Sequence, residues 1–262
     1  MPRVNEILLG DAYELIKTIP DKSIDCLYTD IPYDIPGIHS GAGFLSERKF
    51  KDEIAVFSEG VSDELWDEVD RVLRDDFNMF VWCSIKQIPH LLHRYATEKG
   101  LNFNILVWCK TNATPFVNNT WKPDLEYCLH FQKGARLNDG IHLKSKYFVS
   151  GTNKDDKKRF VHPTIKPLEL VERHILHATQ PGDMVLDPFM GSGTTALACK
   201  HTGRNYIGFE IDPEFYKIAT DRLNGVDVHG TMSLLDTDFD KLEPSKPQQL
   251  SLFDETGGKE NA

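Results

Sequence analysis

An α/β fold built on a doubly wound, mostly parallel sheet is predicted by three observations. Short apolar runs of strand length alternate along the chain with stretches of helical character, the pattern of a sheet covered on both faces. A glycine-rich loop, Asp187-Pro188-Phe189-Met190-Gly191-Ser192-Gly193-Thr194-Thr195, directly follows one of the apolar runs. The chain has 262 residues, 40% hydrophobic and 27% charged, which suffices for one substantial core and argues against a disordered whole.

The elements follow in order. Residues 7–9 read as a strand, 12–19 as a short amphipathic helix and 24–30 as a buried strand that runs into Asp30-Ile31-Pro32-Tyr33. Residues 34–59 carry glycines and mixed charge without a clear period, and are expected to form a mobile loop over the site. A helix is expected over 63–73, a strand over 79–83, a helix over 88–99, and strands over 104–110 and 125–131. Pro167 opens a helix to about Thr179 from a first-turn position, where a missing N–H costs little. A strand at 184–187, a helix at 194–202, a strand at 205–210 and a proline-opened helix at 213–223 complete the pattern.

Composition restricts the function classes. No apolar stretch is long enough to span a membrane and residues 1–6 lack a basic-then-apolar leader, so no membrane role and a cytoplasmic location are expected. The five cysteines are odd in number and widely spaced, and read as buried thiols with no metal site or disulfide. A net charge of -10 argues on average against a polyanionic partner. The distribution reverses that inference, because residues 133–166 carry an excess of six positive charges, including Lys144, Lys146, Lys157, Lys158 and Arg159. A solvated charged loop is the alternative reading of that island.

Asp30-Ile31-Pro32-Tyr33 and the glycine loop each suit a distinct task. A carboxylate beside a proline and an aromatic ring suits gripping and stacking on a planar, amine-bearing ring, while the loop suits cradling a nucleotide-like cofactor. No lysine follows the glycines, which argues against a phosphate-gripping Walker loop. Glu210 ends the next strand, where a carboxylate can accept from two ribose hydroxyls; an exposed strand-end carboxylate is the plainer alternative.

Together, and in this order, the two motifs resemble those of the permuted β group of DNA amino-methyltransferases, which methylate adenine N6 or cytosine N4. The resemblance covers about residues 5–223 and implies a circularly permuted, Rossmann-like methyltransferase fold with S-adenosylmethionine as cofactor. Gly10-Asp11-Ala12 resembles the segment whose aspartate accepts from the cofactor's adenine amine, although Asp11 also suits a helix N-cap. His162-Pro163-Thr164-Ile165-Lys166-Pro167 resembles the segment at the methionine end, where Thr164 can donate and Lys166 can meet a carboxylate. The implied cofactor set is Asp11, Ala12, Asp30, Thr164, Lys166, Asp187, Phe189, Gly191, Ser192, Gly193, Thr194 and Glu210.

The resemblance also implies the chemistry. Asp30 and the Ile31 carbonyl would accept from the target amine, Pro32 would stiffen the turn, and Tyr33 would stack on a base flipped from double-stranded DNA. Ile31 departs from the family pattern, which usually has proline there. Asp rather than Ser at position 30 favours adenine over cytosine-N4 methylation. A protein-glutamine methyltransferase and a DNA- and clamp-binding protein without turnover are the alternatives from other classes. The domain organisation read here is 1–223 for catalysis with a target-recognition insert at about 133–161, then an acidic tail over 224–262. In that tail Gln249-Leu250-Ser251-Leu252-Phe253 resembles the peptide that docks into the bacterial sliding clamp, with Gln249, Leu250, Leu252 and Phe253 as contacts. A bacterial or phage-encoded restriction-modification enzyme is the expected setting, with a homodimer left open.

Overall fold

The computed structural model describes residues 4–32, 60–113, 121–138, 144–152 and 165–226. Within them the strands are β1 (Glu6–Leu9), β2 (Ile24–Asp30), β3 (Leu73–Cys83), β4 (Asn102–Lys110), β5 (Leu125–Lys133), β6 (Tyr147–Ser150), β7 (Met184–Asp187) and β8 (Asn205–Glu210). The helices are α1 (Ala12–Leu15), α2 (Asp63–Val72), α3 (Ile88–Leu92), α4 (Leu168–Ala178), α5 (Thr194–Thr202) and α6 (Pro213–Leu223). One eight-stranded sheet has the order β1-β8-β7-β2-β3-β5-β4-β6. Among the described strands β5 alone runs against the rest, pairing antiparallel with β3 and β4. The expected mostly parallel sheet is what forms.

The period of two along β2 accounts for the double winding. Leu27 faces one core cluster with Leu65, Trp66, Val69 and Tyr95 from the α2–α3 side. Cys26 and Tyr28 face the other, with Leu170, Val171 and Ile175 of α4 and Ala196 and Cys199 of α5. Both faces of the sheet are thus buried, which explains why β2 reads as an almost unbroken apolar run. All five cysteines are free thiols, and Cys109 is the only one not fully buried. Among the described residues no helix is long and apolar enough to cross a membrane.

Several expected boundaries change for local reasons. The helix expected over 12–19 is α1 followed by a 3-10 turn at Ile16–Thr18, because Pro20 drives Ile19 to extended backbone with ψ 132°. β3 begins six residues early, at Leu73 rather than Met79, through the charged and exposed Arg74, Asp75 and Asp76. The helix expected over 88–99 is α3 continued by a π turn at His93–Glu98. Pro167 is the N-cap of α4, with ψ 127°, rather than a first-turn residue. β6 forms inside the basic island and joins the sheet beside β4, Val107 opposite Tyr147.

A candidate active site at the carboxyl ends of β2, β7 and β8

Parallel pairing brings two distant motifs to one sheet edge. β7 lies between β2 and β8, so the glycine loop leaving β7 sits between Asp30, the last residue of β2, and Glu210, the last of β8. β1 adds the fourth piece: Leu9 pairs with Glu210, and the Gly10 N–H donates to the Glu210 carbonyl at 2.8 Å. Asp11 and Ala12 therefore follow directly beside Glu210. Asp11 caps α1, its carboxylate accepting from the Tyr13 N–H at 2.9 Å, and Ala12 is buried. This is the crevice outside the strand ends where open α/β sheets hold ligands.

The loop is held from below and from the side. Asp187 is buried and accepts from Thr195 Oγ1 at 2.6 Å and from the Phe189 N–H at 3.1 Å. Burial pushes its pKa up to about 7 despite the hydrogen bonds from Thr195, Phe189 and Thr29. Glu210 accepts from the Gly191 N–H at 2.7 Å and the Asp212 N–H at 2.9 Å, and burial raises its pKa against those bonds. Gly193 has φ +78°, and a Cβ there would lie 3.0 Å from the Ala219 Cβ. Gly208 on β8 lets Met190 pack flat, since a Cβ would fall 2.0 Å from Met190 Cε.

Ser192 and Thr194 point toward a buried arginine. Arg222 Nη1 donates to Thr194 Oγ1 at 2.7 Å, to the Ser192 carbonyl at 3.2 Å and to Ser192 Oγ at 3.3 Å, tying α6 to the loop. Phe189 is partly buried against the core on the α2–α3 side. Asp187, Ser192 and Thr194 thus brace the loop, while Gly191, Gly193 and Glu210 form its rim.

Asp30 meets a cation from the far side. Lys166, 7% exposed, ion-pairs with Asp30 and with Glu126 of β5, the latter at 3.0 Å, and its Nζ lies 5.2 Å from the centre of the Trp82 ring. Glu126 also pairs with Lys110 of β4 at 2.6 Å. Burial works to raise the Glu126 pKa, but Lys166 and Lys110 outweigh it and hold the carboxyl below its ordinary value. Ile31 is buried, and its N–H extends the β2–β3 ladder to the Trp82 carbonyl at 3.1 Å. Sequence reasoning missed Glu126, although a lone carboxylate early in the apolar run 125–131 was the available signal.

Tyr33, Thr164, Lys157, Lys158, Arg159 and the tail residues Gln249, Leu250, Leu252 and Phe253 lie outside the described residues. Lys144 and Lys146 are exposed just before β6.

Comparison with known proteins agrees with this geometry. The family model described as DNA methylase, of the N6/N4 methyltransferase type, matches residues 24–221. The Type II methyltransferase M2.LlaDCHI of Lactococcus lactis subsp. cremoris is 32% identical over 241 residues, covering 84% of this chain and 90% of that one. Type II methyltransferase M2.DpnII of Streptococcus pneumoniae matches with the same identity and coverage. The crystal structure of the M1.HpyAVI–SAM complex superposes with a TM-score of 0.63 at 28% identity, covering 84% of this chain and 98% of that one. The chain belongs to the N6/N4 DNA methylase family.

Proposed function

We propose that this protein methylates adenine N6 in double-stranded DNA, with S-adenosylmethionine as methyl donor. The observation that carries the reading is the adjacency of β2, β7 and β8, which brings Asp30, the glycine loop and Glu210 to one crevice. The residues present fit the cofactor. A left-handed Gly193 lets backbone approach closely, Glu210 offers a strand-end carboxylate, Asp11 stands beside it, and Lys166, a buried cation, is paired with Asp30 and Glu126 at the same crevice. Phe189 and Gly191 complete the cradle, with Thr164 as a further donor. Bound there, S-adenosylmethionine supplies an electrophilic methyl group.

The protein's own part is to make a poor nucleophile reactive. An amine conjugated to its ring has a delocalised lone pair, and acceptors for both its hydrogens favour the pyramidal nitrogen of the transition state. Asp30 and the Ile31 carbonyl supply those acceptors. The amine is out of reach inside a duplex, so the base is flipped and stacks on Tyr33, an interaction worth about 1–3 kcal/mol per base. Exposed Lys144 and Lys146, with Lys157, Lys158 and Arg159, contact phosphates. Asp30→Ala should abolish methyl transfer and leave calorimetric cofactor affinity nearly unchanged; undiminished turnover rejects the assignment.

The tail peptide supports a second partner. Gln249, Leu250, Leu252 and Phe253 would dock the bacterial sliding clamp and hold the enzyme at replicating DNA. Surface plasmon resonance on immobilised clamp tests this: the Leu252→Ala, Phe253→Ala double variant loses binding, and equal binding by wild type and variant ends the idea.

A further inference from the structure

The departure at Ile31 removes a ring that would lock one dihedral beside the acceptor carbonyl. The structure offers a replacement for that stiffness. Upstream, the Ile31 side chain is 3% exposed in the core, and its N–H meets the Trp82 carbonyl at 3.1 Å, a bond that proline could not make. Downstream, Gln87 Nε2 donates to the Pro32 carbonyl at 2.7 Å. Gln87 ends the turn that leaves β3, the strand beside β2, and is the N-cap of α3. Its amide orientation is determined by chemistry, since Oε1 accepts from the Ser84 N–H at 2.9 Å and from Ser84 Oγ at 3.0 Å. A backbone N–H requires an acceptor, so the amide nitrogen must face Pro32.

We infer that Gln87 is a positioning residue for methyl transfer, clamping the Pro32 carbonyl so that the Ile31 carbonyl is held from both sides. The inference rests on the reading of residues 30–33 as the acceptor motif. Pro32 has a ring-fixed φ and biases Ile31 to extended backbone, so its carbonyl direction depends on one remaining dihedral. The Gln87 bond pins that dihedral. It thereby sets where the chain goes after Pro32 and stops the Ile31–Pro32 peptide from rocking. Gln87 touches neither base nor cofactor in this account, and acts only through the backbone of the motif.

The test uses the full-length protein, a cognate duplex and S-adenosylmethionine. Gln87→Glu keeps both Ser84 bonds and removes the donor, and Gln87→Met removes the amide at similar length. Gln87→Glu should lower kcat about tenfold, the size expected for one lost hydrogen bond, with cofactor affinity and melting temperature close to wild type, while Gln87→Met, which also strips the Ser84 N–H of its acceptor, should lower kcat at least as far and the melting temperature by a few degrees. A second readout separates positioning from bulk structure. A protonated carboxyl can donate again, and a carboxyl of ordinary pKa near 4.3 is about 6% protonated at pH 5.5 and about a sixth protonated at pH 5, so the turnover of Gln87→Glu relative to wild type should rise about 1.5-fold by pH 5.5 and about 2.5-fold by pH 5, whereas that of Gln87→Met should stay flat. Wild-type turnover in both variants overturns the inference. So does a loss in Gln87→Glu that tracks lowered stability, or a ratio that is independent of pH down to about 5 in Gln87→Glu. Failure of the underlying reading looks different, because Asp30→Ala would then retain methyl transfer whatever happens at Gln87.

Discussion

Lys166→Met is the sharpest perturbation of the buried charge network. The lysine is 7% exposed and lies between Asp30 and Glu126, whose side chains are 28% and 19% exposed. Removing one partner from a buried pair costs about 3–5 kcal/mol, chiefly because the other charge is left behind. Two features reduce that figure here. Asp30 is partly open to solvent, and Glu126 keeps Lys110 at 2.6 Å. A loss of about 2–3 kcal/mol is therefore expected at neutral pH. The pH dependence follows from Glu126, whose native pKa lies below its ordinary 4.5 because the two lysines outweigh burial. A depressed carboxyl pKa stabilises the fold above the ordinary value, and that contribution disappears as pH falls through the native one. Urea unfolding of wild type and variant should give a gap of about 2–3 kcal/mol near pH 7.5 that narrows near pH 4. An equal gap at both pH values refutes the charge argument and leaves only lost packing.

Two further predictions probe the loop and the second core. Gly193→Ala should lose about 2–4 kcal/mol, from left-handed strain and from crowding of Ala219, and should weaken cofactor binding; unchanged denaturation and calorimetry would contradict the close approach. His130 is buried against Phe80 and hydrogen-bonded to Asn78, and burial pushes its pKa down to about 4. Its neutral form stabilises the fold above the ordinary 6.5, and that contribution is lost as pH falls through about 4. His130→Gln should therefore gain about 3 kcal/mol on wild type between pH 7 and pH 4 in urea titrations, and a constant difference would count against it.

What could be read from the sequence was what depends on local pattern. β2, β7 and β8 are buried on both faces and carry little charge, so their apolar runs stand out, and the glycine loop is marked by residues that left-handed backbone requires. Asp30, Glu210 and Asp11 stand out in the sequence because they end strands or begin a helix at those marks. β6 was hidden because two of its four residues are exposed and its flanks are cationic, so no apolar face showed. The early start of β3 was hidden in the same way by Arg74, Asp75 and Asp76. Nothing in the sequence signals that Lys166 meets Asp30 and Glu126, a pairing created by strand order rather than by spacing. Gln87 had no signal at all, since a polar residue in a turn looks the same whether or not it grips a neighbouring carbonyl.

Nucleoside mass spectrometry of duplex DNA incubated with the protein and isotopically labelled S-adenosylmethionine identifies the methylated base. Wild type should yield labelled N6-methyldeoxyadenosine, and Asp30→Ala none. Label in N4-methyldeoxycytidine would contradict the base assignment, and no label in DNA while the protein binds both DNA and cofactor would contradict the proposed transfer itself.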